Sequence, residues 1–550
     1  MVLVMNTFNT ALGWNGVGRS SLAFLVCTGL VRAAQPFAWG VAAGDVTPTA
    51  AILWTRADAP GGVQAELATD ADFTQIARMV PVLADEDSDL TVKVDVSGLT
   101  PATTYYYRFV REDDPSAVSR VGRFRTAPDS AATAFRFVFT GDSNFAFSPL
   151  TAAAHAAREQ ADFLIWFGDT IYGDVPSGGL GVASDLAGYR GKYRQLRSDA
   201  HLQALLAGLA VRVGWDDHEV RNDYAGLDPA LSPDRKLAGY RAFFEYMPIR
   251  PQGEPDDPYR TYRRFRYGPN VEFFLLDERQ YREVSAAGTC GSNPDPDGFL
   301  LGWLTRDPAC QDVLRAPREM LGPVQFEWLR QGLLTSTART KFIINNVPLT
   351  HIALLPYDRW DGYDAQRRAL LEFIDAHRIE GVVFLTTDTH ANAFNPDLGA
   401  YFRRNRPDYV LDNGVVIPEI IAGPIGTETL RDELLTFAGA LLGAPEVGVV
   451  RLMLGLAERM VVERIRALNH LSFIADDRIG YARFDVNADG SWQATFRGMT
   501  ADAARREDGE IETLYSTDDG PLQGPGLPCC LPVPLAVVLA GIALPRLTRK

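Results

Sequence analysis

Four times in this chain a short apolar run stops at an acidic residue, and that repetition limits the possible folds more than any other feature. Phe163-Leu164-Ile165-Trp166-Phe167 ends in Gly168-Asp169, and Phe137-Val138-Phe139-Thr140 ends in Gly141-Asp142. Val213-Gly214-Trp215 runs into Asp216-Asp217-His218-Glu219, and Val382 to Thr387 runs into Asp388-Thr389-His390. Short continuous apolar runs bounded by turn residues predict buried strands. The carboxyl ends of strands in an open α/β sheet form the rim where ligands bind. One Gly-Asp pair is also an ordinary turn. Four acidic strand ends can meet at one point, and Asp with His is a donor set for a metal.

At 550 residues the chain is too long for one ordinary core, so two or more domains are expected. An apolar fraction of 46% is that of a globular protein. The formal net charge is -15 and no long Lys/Arg run occurs, which argues against a nucleic-acid surface. Seven histidines exclude a His-rich metal site. Among the five cysteines no Cys-x-x-Cys occurs, which argues against a cysteine zinc site. Cys290 and Cys310 flank a Pro/Gly/Asp-rich loop; a disulfide closing it is expected, with two free thiols as the alternative.

Residues 1–35 read as an export signal: Arg19 precedes the apolar stretch Leu22–Val31, and Ala33-Ala34 offer a cleavage site. The alternative is a first strand, or a start codon placed too far upstream. Residues 36–127 change to short strands with turn signals: Ala51–Thr55, Leu90–Val96 and Thr104–Val110, punctuated by Gly61-Gly62, Pro101 and Pro115. They predict a small fibronectin/Ig-like β-sandwich. Residues 132–505 alternate strands with helical patterns, Ala152–Gln160 and Ser184–Leu209 among them, which means α/β. Further buried strands are Val271–Leu276, leading into Asp277-Glu278-Arg279, and Lys341–Asn345, leading into Asn346. Residues 428–468 predict a helical insert or lid, and Ile479–Val486 with Ser491–Phe496 a closing hairpin. Residues 520–550 contain an apolar run, Leu531–Leu544, before Arg546, Arg549 and Lys550. Such a tail is expected to sort or anchor the protein and make a membrane contact; a buried C-terminal helix is the alternative.

Two metals about 3.5–4 Å apart need one bridging carboxylate and separate ligands for each ion. Asp142, Asp169, Tyr172, Asp217-His218, Asn346, Asp388 and His390 supply such a set. In an extended segment, i and i+2 point the same way, so Asp388 and His390 are expected to face one site together. Each residue alone has a plainer reading: Tyr172 as a packed aromatic, Arg279 as a salt-bridged surface residue, Asp361-Gly362 as a turn. His155, His201 and His377 fall in helical patterns and read as structural, whereas His351 and His470 are left open as pocket residues.

The order of motifs resembles a known family. Its carriers are Trp39-Gly40-Val41-Ala42-Ala43-Gly44-Asp45, Leu53-Trp54-Thr55-Arg56, Gly168-Asp169-Thr170-Ile171-Tyr172 and Trp215-Asp216-Asp217-His218-Glu219-Val220. Leu276-Asp277-Glu278-Arg279-Gln280-Tyr281-Arg282, Trp360-Asp361-Gly362-Tyr363, Thr387-Asp388-Thr389-His390 and Arg478-Ile479-Gly480-Tyr481 complete the set. Together these look like the PhoD-like alkaline phosphatase/phosphodiesterase family of calcineurin-like metallophosphoesterases. The resemblance implies a four-layer α/β/β/α domain behind the sandwich, and a binuclear centre of iron plus calcium or another divalent ion. Asp142, Asp169, Tyr172 and His390 would bind the first metal. Asp169, Asp217, Asn346 and Asp388 would bind the second, with Asp169 bridging. His218 would protonate the leaving group or stabilise transition-state charge, and Arg279 would hold phosphate oxygens. Asp142 stands where these enzymes often have Cys, which leaves the metal identities open. The implied protein is a secreted or surface-anchored phosphoesterase acting on phosphate mono- or diesters by metal-activated water. The alternative from another class is a non-catalytic surface-binding protein with structural calcium. Nothing in the sequence indicates an oligomeric state.

Overall fold

The computed structural model describes residues 36–291, 296, 298, 306–352, 357–442 and 448–519, without side chains for 437–457. The expected signal segment and the C-terminal tail lie outside these residues.

Two sheets face each other at the centre. One has nine strands, in the order Glu512–Ser516, Trp492–Met499, Ile479–Val486, Phe135–Thr140, Phe163–Phe167, Ala210–Gly214, Val41–Gly44, Ala50–Arg56 and Thr91–Ser97. The other has seven: Arg263–Arg266, Val271–Leu275, Thr340–Asn345, Val382–Thr386, Glu419–Ile421, Asn392–Asn395 and Phe473–Ala475. Alternation along each strand decides which residues meet in the middle. Phe137 and Phe163 of the first sheet meet Phe273 and Phe342 of the second, with Phe137 5.4 Å from Phe273 and 5.5 Å from Phe342 between ring centroids. The intervening residues point outward. Leu164, Trp166, Val211 and Val213 pack with Leu196, Leu205 and Phe243 from the helices Leu186–Arg197, Ala200–Gly208 and Pro233–Tyr246. On the far side Phe274, Ile343, Val382 and Phe384 pack with Leu329, Leu333 and Leu370 from Gly322–Thr335 and Asp364–Ala376. The layering is therefore α/β/β/α, because continuous apolar strands need a cover on both faces.

The N-terminal strands divide between two sheets. Ile76–Ala84, Gly61–Ala68, Thr104–Arg111 and Gly122–Arg125 form a four-stranded sheet. Val41–Gly44, Ala50–Arg56 and Thr91–Ser97 instead extend the central sheet, with Gly44 in parallel register beside Val211. The four-stranded sheet packs across these three strands through Val63, Leu67, Tyr107 and Phe109, so the sandwich shares a sheet with the α/β core. Residues 184–209, a single helical pattern in sequence, form two helices. Asp199 breaks the run by accepting from the backbone N–H of His201 and Leu202 at 2.9 Å as the cap of the second helix. The 428–468 segment likewise holds two helices, Leu430–Leu442 and Gly448–Asn469. Cys290 and Cys310 are bonded, with Cα atoms 4.9 Å apart.

Candidate metal centre

Phe135–Thr140, Phe163–Phe167 and Ala210–Gly214 run parallel side by side, and so do Thr340–Asn345 and Val382–Thr386 in the opposite sheet. Asp142, Asp169, Asp217, Asn346 and Asp388 thus leave the same end of the facing sheets. Backbone bonds knit the exit loops: Ser143 N–H to Asp169 O at 2.9 Å, Gly168 N–H to Gly214 O at 3.0 Å and Thr387 N–H to Asn346 O at 3.1 Å. Asp142 (φ 60), Asp169 (φ 46), Asp388 (φ 55) and His390 (φ 53) all take left-handed backbone. That region is sparse for non-glycine residues, and holding several there points to a site the surrounding structure enforces. Gly168 precedes Asp169 at φ 78, where a Cβ would lie 2.6 Å from Asn346 Nδ2, so no other residue fits. The extended Asp388-x-His390 expected from sequence is corrected here. The strand ends at Thr386, and the two left-handed residues send Asp388 and His390 to different carboxylate groups.

Ligand atoms of Asp142, Asp169 and His390 lie within 4.8 Å of one another, and those of Asp169, Asp216, Asp217 and Asp388 form a second such group. Asp169 belongs to both. Asp217 also groups with Asp223 and Asp358, and His218 with Asp169 and Asp217. Tyr172 Oη sits 3.0 Å from His390 Nε2. Asn346 donates Nδ2–H to Trp215 O at 3.1 Å, which leaves its Oδ1 without a hydrogen bond.

Burial without partners marks the centre. Asp142 Oδ2, Asp169 Oδ2, Asp217 Oδ1 and Asn346 Oδ1 are buried and have no hydrogen-bond partner among the described residues. Burial pushes the Asp142 carboxyl up to about 7, with His390 pulling down and Asp388 pushing further. Burial and then the neighbouring Asp217 push Asp169 well above the carboxylate range. Buried oxygens of this kind are costly unless a counter-charge meets them. All-oxygen and imidazole donors around a shared carboxylate fit hard or borderline divalent ions.

The comparisons agree with this geometry. Residues 137–496 match the model for the PhoD-like phosphatase, and residues 28–128 match its N-terminal domain. The chain belongs to the PhoD-like phosphatase family. It is 33% identical over 414 residues to alkaline phosphatase D of Bacillus subtilis (strain 168), covering 68% of each chain. A solved structure of PhoD superposes with a TM-score of 0.71 at 26% identity, over 94% of this chain and 98% of that one. A 97-residue stretch is 30% identical to purple acid phosphatase 15 of Arabidopsis thaliana, covering 17% of this chain and 18% of that one. The protein is a phosphoric ester hydrolase of the alkaline phosphatase D type, and the non-catalytic alternative is set aside. Among the described residues no helix is long and apolar enough to cross a membrane.

Around this PhoD-like centre sit carboxylates that the sequence reading passed over. Glu219 accepts from Thr170 N–H at 2.5 Å and from Asp216 N–H at 2.9 Å, tying the loop after Asp169 to the loop before Asp217. Glu278 accepts from Asn346 and Val347 N–H at 2.9 and 3.0 Å and from Trp360 Nε1–H at 2.8 Å, which fixes the Asn346 loop. Asp174 meets His218 Nδ1 at 2.5 Å, and the His218 ring stacks on Tyr172 at 4.1 Å. Arg279 is fully buried rather than at the surface. It bonds to Asp216 and donates to Asp358 at 2.7 Å, and its Nη2 lies 3.7 Å from Asp217 and 3.9 Å from Asp388. Burial pushes Asp358 up, but Arg279 and Arg282 outweigh it and hold that carboxyl well below its usual range. The remaining histidines sit elsewhere. His155 bonds the Gly509 carbonyl at 2.8 Å, His201 pairs with Glu507, and His351 pairs with Asp361 and stacks on Tyr401. His470 contacts Arg404.

Proposed function

We propose that this PhoD-like phosphatase is an exported metal-dependent phosphoesterase that cleaves phosphate mono- or diesters at the centre built around Asp169. One observation carries the reading: three buried carboxylate oxygens, of Asp142, Asp169 and Asp217, come from three separate strand ends, lack hydrogen bonds and belong to ligand groups that share Asp169. Asp142, Asp169, Tyr172 and His390 would hold one ion, and Asp169, Asp217, Asn346 and Asp388 the other, with iron plus calcium or another divalent ion as the pair. Bound there, the ions supply Lewis-acid polarisation of a phosphoryl group and a water acidic enough to react near neutral pH.

The chain's own groups do the rest. Asp174 holds His218 Nδ1, which leaves Nε2 to give a proton to the leaving oxygen. Burial disfavours the charged ring, while Asp217 and Asp174 favour it. Arg279 offsets the carboxylates, and its Nη2, which has no hydrogen-bond partner among the described residues, is the donor it can offer a phosphate oxygen. Residues 1–35, with Arg19 ahead of Leu22–Val31, support export.

The test is hydrolysis of a chromogenic phosphodiester and a monoester by the full chain, before and after chelation, with metal analysis of the same sample and Asp169→Asn in parallel. The expected result is turnover that chelation removes, that added metal restores and that Asp169→Asn lacks. The ratio of the two esters gives the substrate class. Folded, metal-loaded protein inert on both esters would overturn the reading.

A further inference from the structure

His390 has an unusual support. It lies past the end of its strand at φ 53, so no ladder holds it. A polar group lies at each edge of its ring: Nε2 shares a hydrogen bond with Tyr172 Oη at 3.0 Å, and Nδ1 lies 2.5 Å from Glu433 Oε1, an ion-pair contact outside hydrogen-bond geometry. Glu433 belongs to the first turn of the helix Leu430–Leu442, the first helix of the insert. The start of that helix is fixed from its own sequence. Thr429 Oγ1 accepts from Asp432 N–H at 3.4 Å and Asp432 Oδ2 accepts from Thr429 N–H at 3.3 Å, the reciprocal pattern of a capping box. Glu433 N–H bonds to Thr429 O at 3.1 Å, which starts the helical ladder. The same turn takes hold of the histidine backbone, because Leu430 N–H donates to His390 O at 2.8 Å. Main chain and side chain of one helical turn therefore both act on one residue of the centre.

We propose that Glu433 is a positioning residue: it accepts from His390 Nδ1–H, fixes the ring and its tautomer, and leaves Nε2 as the metal-binding atom, so that the insert is part of the metal centre. A carboxylate behind a ligating imidazole sets its orientation and raises its basicity, and losing such a partner typically weakens metal binding by about 10–100-fold. Glu433 never touches substrate in this role. The inference rests on His390 being a ligand, as proposed above.

The experiment adds Co²⁺ to metal-stripped full-length protein against a competing chelator and reads the apparent Kd. Glu433→Ala is expected to weaken Co²⁺ roughly 10–100-fold, with Glu433→Gln, which keeps an acceptor oxygen, lying between it and the wild type. Glu463→Ala removes another carboxylate of the insert, paired with Arg466 at 2.7 Å, and should leave the Kd unchanged. A second readout is the ring N–H of His390 in Zn²⁺-loaded, histidine-¹⁵N-labelled protein. It should exchange slowly in the wild type and fast in Glu433→Ala. Glu433 is half exposed, so its removal should leave the far-UV CD unchanged. If His390→Ala weakens Co²⁺ but Glu433→Ala binds like the wild type, the positioning role falls while the ligand reading stands. If His390→Ala also binds like the wild type, both fall.

Discussion

Two clusters of buried aspartates among the described residues are opposite in kind. Around Asp361 and Asp364 every acid has a cation. Arg367 donates to both at 2.6 Å, Arg406 reaches Asp364 at 2.6 Å, and His351 meets Asp361 at 2.8 Å. Burial pushes these carboxyls up, but His351 and Arg367 hold Asp361, and Arg367 and Arg406 hold Asp364, far below the usual range. At the strand ends, Asp142 and Asp169 are as deeply buried, yet their free oxygens face one another and burial wins. Burial alone therefore says little about what an acid does. How fully internal cations offset it separates a carboxylate that holds the fold together from one arranged to hold a metal.

The largest expected effect separates the clusters by activity. Asp169→Asn should cut kcat/KM by on the order of 10³-fold or more, since the ions contribute several kcal/mol to the transition state. The same substitution should leave the metal-free protein as stable as the wild type or more so, because it removes a repelling charge; a large loss of stability without metal would break the comparison. Asp361→Asn should do the reverse. It takes one of two carboxylates away from Arg367, which keeps Asp364, so urea unfolding should show a loss of roughly 1–3 kcal/mol, with the Co²⁺ affinity of the folded protein unchanged. Replacing both Cys290 and Cys310 by Ser should cost about 3 kcal/mol through loop entropy, again with no change in metal affinity.

Acid gives the gentlest probe. Asp45, Asp361 and Asp364 all have folded values below the ordinary 3.8, Asp45 because Arg263 and Arg212 outweigh its burial. A depressed carboxyl stabilises above its unfolded value and loses that contribution as pH falls. The contribution of these three groups should therefore hold down to about pH 4 and then drop by about 1.4 kcal/mol per pH unit for each of them. A flat stability curve below pH 4 would show that these pairs contribute nothing.

The strand ends were legible because a buried strand followed by Gly-Asp is a local signal, repeated until chance could not explain it. The layering was legible for the same reason, since continuous apolar runs need cover on both faces. The turn conformations at Asp388 and His390 were not, because nothing local marks left-handed backbone at a non-glycine residue. Glu219 stood in plain sight beside His218, and its use as a clamp became visible only once Thr170 and Asp216 were brought to it. Glu278 was equally visible in its motif, and its target, the Asn346 backbone, is 68 residues away. Glu433 carried no signal at all: it is one acid in a helical turn, and only tertiary contact gives it a histidine. Ligands that end strands are written locally, whereas the groups that hold them come from wherever the fold happens to pass.

The nine-stranded sheet includes strands from both ends of the described chain, Val41–Gly44 in its interior and Glu512–Ser516 at its edge. No part of the chain leaving a ribosome can complete that sheet until Glu512–Ser516 has appeared. Contacts between such distant segments make folding slow, because the long loop must close before any pairing rewards it. A nascent chain of this kind holds that sheet open until late in its synthesis, and that is the interval in which chaperones can take hold of it.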